Sequence, residues 1–111
     1  MESLLEQMEH CKTVDECIDV ATVDAYGEYE QAESWRTCIE EIFGGVKTVR
    51  ALGQEVKIER FELINDLYLV AVCRKEKRLA RVALVSIEFP KLTRVQRLWL
   101  KAWGVFSGSR E

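Results

Sequence analysis

Apolar and polar residues change their period several times along this chain, and the changes divide it into elements. Over residues 28–43 the apolar positions Ala32, Trp35, Ile39, Ile42 and Phe43 recur at helical spacing. With Glu30 at zero and about 100° of turn per residue, Glu33, Thr37, Glu40 and Glu41 fall within roughly 80° of it, and the apolar set falls opposite. The pattern predicts one amphipathic helix with a buried face and a carboxylate stripe. Gly44 and Gly45 are expected to stop it in the left-handed conformation that glycine favours. Residues 93–106 repeat the logic. Thr93 is a candidate cap, and Val95, Leu98, Trp99, Ala102, Trp103 and Phe106 form an apolar stripe opposite Arg94, Arg97 and Lys101.

Between these helices the period falls to two. Strands are expected over residues 46–52, 56–64, 67–74 and 79–87. The apolar face of the second changes near Arg60, which predicts a bulge. Asn65-Asp66 signals a tight turn, and Lys75-Glu76-Lys77 a charged one. Ahead of the main helix, Leu4, Leu5, Met8 and Cys11 are spaced as a short helix, or a loosely ordered arm over residues 1–14. Thr13 and Glu16 have the spacing of a helix capping box. The alternation of Ile18, Val20 and Thr22 with their neighbours instead favours a strand over residues 17–24. The whole reads as one α+β domain over residues 1–111. A small curved antiparallel sheet of four to five strands, barrel-like, carries the main helix and a C-terminal helix. The expected core includes Trp35, Ile39, Phe43, Leu69, Val72, Leu84, Trp99 and Trp103.

Charge sharpens this picture. Residues 1–45 hold 12 acidic and 2 basic residues, a balance of −10, and residues 46–111 hold 7 and 14, a balance of +7. Such segregation points to a cation site, a partner, or complementarity between the halves. No run approaches about 18 apolar residues, so no membrane span is expected. The opening Met1-Glu2-Ser3 lacks the marks of a secretory signal, so a cytoplasmic protein is expected. The even count of Cys11, Cys17, Cys38 and Cys73 invites a disulfide reading, but secretory marks are lacking and no two have Cys-x-x-Cys spacing; Cys38 and Cys73 read as small buried thiols. A zinc site from His10, Cys11 and Cys17 is a minor alternative. No phosphate loop, dinucleotide fingerprint or His-Glu-x-x-His occurs, and the sole histidine has no evident catalytic partner, so an enzyme is not expected.

Two chemistries remain. Hard cations such as calcium take six to eight oxygens. Asp24 ahead of the main helix, Glu30 in its first turn, and Glu40 and Glu41 in its last can supply carboxylates. Glu30 and Glu41 are about 16 Å apart along a helix, which implies two separate sites. A row of glutamates on a helix is otherwise a solvated face. The alternative is a nucleic-acid-binding surface on the basic hairpin 74–81, formed by Arg74, Lys75, Lys77, Arg78 and Arg81, with Arg94, Arg97 and Lys101 adding to it. It lacks interleaved exposed aromatics, because Trp99 and Trp103 fall on an apolar helix face. The sequence identifies no protein partner.

Val23-Asp24-Ala25-Tyr26-Gly27, Glu30-Gln31-Ala32, Trp35 and Ile39-Glu40-Glu41 together resemble the opening of the CcbP-like family of small bacterial calcium-binding proteins. In that family a strand ends in the first motif and a helix follows. The resemblance extends over roughly residues 17–104, with specific motifs only at its start. It implies a calcium sensor or buffer whose acidic sites are not one continuous loop, and, by motif position, Asp24, Glu30, Glu40 and Glu41 as ligands. Gly44-Gly45-Val46-Lys47 replaces the family's aromatic segment after the helix. Asn65-Asp66 stands where the family carries an acidic insert, so a site using that insert would be lost.

Overall fold

The computed structural model describes residues 3–108. Four helices, α1 (Leu4–Glu9), α2 (Val14–Thr22), α3 (Glu28–Ile42) and α4 (Arg94–Gly108), pack against five strands. The strands are β1 (Thr48–Ala51), β2 (Gln54–Ile64), β3 (Tyr68–Lys75), β4 (Arg78–Ala83) and β5 (Ile87–Glu88). Every pairing is antiparallel and the order is β4-β3-β2-β1-β5. This is an α+β architecture.

The sheet is open, with edges at β4 and β5, and so it is curved rather than a barrel. Its curvature is nonetheless strong. A flat sheet would hold those edges about 19 Å apart, four strand spacings. The chain joins them through a 3₁₀ turn at Leu84–Ser86. Four residue steps from Ala83 to Ile87 reach at most about 14 Å. The expected strand over residues 79–87 is therefore two strands on opposite edges, broken where Leu84 turns into the core.

The helical layer differs from expectation in one place. Residues 17–24 are not a strand; Val14–Thr22 is α2. Thr13 caps it by accepting from the Glu16 N–H at 3.1 Å, and the Glu16 carboxylate accepts from the Lys12 N–H at 2.7 Å. Cys17 and Ala21, one helical turn apart, are its buried residues. Thr22 turns its hydroxyl back to the Ile18 carbonyl at 2.7 Å, so β-branching is accommodated within the helix. The segment 3–11 is a docked helix: Met8 is fully buried, and its carbonyl accepts from the Trp99 indole at 3.1 Å.

The main helix ends at Phe43, with φ −104°, and neither Gly44 nor Gly45 is left-handed. Gly44 has a packing reason instead, since a Cβ there would sit 3.2 Å from the Glu40 carbonyl. The bulge falls between Ile58 and Arg60. Asn65 and Asp66 both take positive φ, at 53° and 60°, as a tight primed turn requires. Thr93 and Gln96 cap α4 reciprocally, at 3.0 and 3.1 Å.

The core lies between the layers. Trp35 sits against Trp99 and Trp103 with ring centroids 5.6 and 5.4 Å apart, edge to face. Phe43, Phe61, Leu69, Ala71 and Leu84 extend this cluster over the sheet. All eight expected core residues are buried. Val72, however, projects from the other face of β3 with Val70, on the side where Arg60, Glu62 and Arg81 pair.

Candidate functional site

The acidic candidates lie on α3 and on the turn that leads into it. Asp24 does not leave a strand end. It follows α2 in the left-handed conformation, φ 57°, which aspartate tolerates better than most residues. The preceding helix also departs from the strand that the CcbP-like resemblance implies. The turn is tied down locally: the Ala25 N–H donates to the Thr22 carbonyl, and the Gln31 amide donates to the Ala25 carbonyl at 3.3 Å. Glu30 reaches back to accept from the Tyr26 N–H at 3.0 Å, in place of the side-chain cap that Gly27 cannot provide.

At the other end of α3, Glu40 is committed to Arg36 at 2.7 Å, and the same guanidinium takes Glu33 at 2.7 Å. These two carboxylates hold the Arg36 charge firmly, raising its pKa. Glu41 is exposed beside Glu40. The structure thus brings Asp24 and Glu30 to one end of the helix, and Glu40 and Glu41 to the other. It does not unite the four. Among the described residues, no three His, Cys, Asp or Glu side chains converge on a point that a metal could occupy.

The same result bears on the His10, Cys11 and Cys17 alternative. Cys11 and Cys17 lie close enough to influence each other's charge, and Cys11 donates to the Gln7 carbonyl at 3.4 Å. Burial pushes Cys17 and Cys38 up to about 12 and raises Cys11, with Glu16 and neighbouring thiols adding to it at Cys17. Protonated thiols of this kind are poor ligands and poor nucleophiles.

On the basic hairpin, Arg74 pairs with Glu59, and Arg81 donates to Glu62 at 3.1 Å. Arg60 and Arg81 together hold the Glu62 carboxyl below the usual carboxylate range. Lys75, Lys77 and Arg78 at the hairpin tip are exposed. The exposed Tyr68 lies at the far end of β3 from them, about 23 Å away along the strand.

Sequence reasoning missed a third feature. A cleft of about 400 Å³ opens where the curled sheet fails to close, between the β1–β2 turn and β4. Its one sequence signal is Leu52, an apolar residue in a turn position.

No family model matches the chain, no curated protein is significantly similar to it, and no solved structure matches it significantly. No helix among the described residues is long and apolar enough to cross a membrane.

Proposed function

We propose that the protein binds calcium, as a weak sensor or buffer rather than an enzyme, and that the principal site is the acidic turn between α2 and α3. The observation that carries this reading is how charge is distributed between the layers. Among the described residues, the ion pairs of Arg36 with Glu33 and Glu40 stay inside α3, and Arg50–Glu88, Arg60–Glu62, Arg74–Glu59 and Arg81–Glu62 stay inside the sheet. The basic half of the chain therefore does not neutralise the acidic half through these contacts. A mobile cation can.

Asp24 and Glu30 would supply carboxylates, with Glu28 at the first helical position and water completing the shell. Calcium tolerates such an irregular set better than magnesium does. Glu40 and Glu41 make a weaker second patch, because Arg36 competes for Glu40. A shell not built in advance implies an affinity at the weak end of the calcium range, on the order of 10⁻⁴ to 10⁻³ M. The alternative, nucleic-acid binding by hairpin 74–81, is less well supported. Two of its five basic residues are committed to Glu59 and Glu62, and no exposed aromatic lies beside the other three.

An amide-resolved NMR titration tests the proposal. Calcium should shift the amides of residues 24–30 most, magnesium should shift them less, and Asp24→Asn with Glu28→Gln should abolish the effect. Asparagine tolerates the left-handed position, so the double variant keeps the turn. Calcium at about tenfold its Kd should stabilise the fold by about 1.4 kcal/mol. Shifts that are absent, or equal for both ions and scattered over all carboxylates, would leave only a solvated acidic face.

A further inference from the structure

The cleft in the curled sheet has the makeup of a small-ligand site. Its floor is apolar: Ala51, Cys73 and Val82 are all buried, with Val56 and Ala80 beside them. At its mouth, Lys75 and Arg78 are direct partners across the β3–β4 hairpin. Both cations are exposed, and neither forms one of the sheet's ion pairs. Glu76 and Gln54 share the rim, and the mouth keeps a net positive charge. An apolar hollow of this size with a few polar groups at one end suits one small molecule, not a helix or a strand.

A second observation is independent of the cleft's shape. Leu52 and Gly53 form the two-residue turn between β1 and β2, with φ of 54° and 75°. Such a turn strongly prefers asparagine or glycine at its first position. Leucine there is strained, and it is 85 % exposed at the wall of the cleft. A strained, solvent-facing leucine gains nothing from the fold. It gains from an apolar occupant.

We infer that this cleft binds a free medium-chain aliphatic carboxylate, with its chain on the Ala51–Val82 floor beside Leu52 and its carboxylate at Lys75 and Arg78.

Sodium decanoate below its micellar concentration, in calcium-free buffer, is the probe. It should shift the amides of Val56, Cys73, Ala80 and Val82. Decanol should bind about tenfold more weakly, the loss expected from one charged contact. Lys75→Gln with Arg78→Gln should weaken decanoate about tenfold and leave decanol unchanged. Leu52→Asn should separate binding from folding: Tm rises by roughly 3 °C as turn strain is relieved, while decanoate binding falls about tenfold. The inference is overturned if decanoate shifts are absent or spread over the surface, if decanol binds equally well, or if Leu52→Asn fails in either direction. It is equally overturned if the cleft amides respond to phospholipid vesicles, to an oligonucleotide or to self-association but not to free decanoate.

Discussion

Cys11, Cys17, Cys38 and Cys73 illustrate how far single residues can be read. The lack of secretory marks already spoke against a disulfide framework, and the structure buries all four as free thiols. What the spacing could not reveal is that Cys11, Cys17 and Cys38, from three different segments, lie close enough to affect one another's charge. Their environment carries a pH consequence. Desolvation raises all four, Cys17 and Cys38 to about 12 from an ordinary 9.0. In the unfolded chain they lose their protons near the ordinary value; in the folded one they keep them longer. Their contribution to stability is therefore complete below about pH 9 and is lost as pH rises toward about 12. Thermal melts should show Tm falling steadily across that window, and Cys38→Ala should flatten the fall. A Tm independent of pH there would show that the thiols are not shielded from solvent. Leu52 marks the opposite limit of residue-level reading. Its chemistry looked like the end of a strand, and only its backbone angles show it to be misplaced for a turn.

At the scale of elements, α3 and α4 were legible because each combines a wide apolar stripe with a stop or a cap. β2 was legible down to its bulge, because the change of apolar face at Arg60 is written in the residues. Two elements were not. In α2, Ile18, Val20 and Thr22 suggest a strand, and nine residues offer little periodicity to oppose them. The deciding signal was local: Thr13 and Glu16 form the cap, and burying the small residues Cys17 and Ala21 against the other helices outweighs a weak propensity. The strand expected over residues 79–87 failed for a different reason. Alternation continues through Leu84–Ser86, but the chain there turns inward and crosses to the other edge of the sheet, a long-range event with no local marker. If the cap does set α2, Thr13→Ala should cost about 1 kcal/mol. In urea unfolding the midpoint should fall while the slope stays constant. An unchanged midpoint would mean that packing alone holds the helix.

At the scale of the molecule, helices and sheet form separately charged layers joined through one apolar seam. The acidic stripe and the separation of its two ends by the helical rise were both visible in the sequence; that no third acidic group among the described residues completes either end was not, since that depends on which ends of α3 face other elements. The seam decides whether the layers behave as one body. Trp35 of α3 and Trp99 and Trp103 of α4 report on the helical side, and Phe43, Phe61, Leu69 and Leu84 continue the same cluster onto the sheet. Docking of α1 through Met8 and Trp99 ties the N-terminal segment to that cluster as well. None of the helices buries its apolar face without the others, so none has an independent reason to persist. Unfolding should therefore be a single transition: tryptophan fluorescence, which reports the seam, and far-ultraviolet circular dichroism, which reports both layers, should share one midpoint in denaturant. Calcium should shift both midpoints together. A fluorescence midpoint that falls clearly below the dichroism midpoint would mean that the helices leave a sheet still standing, and that the seam is weaker than its buried aromatics imply.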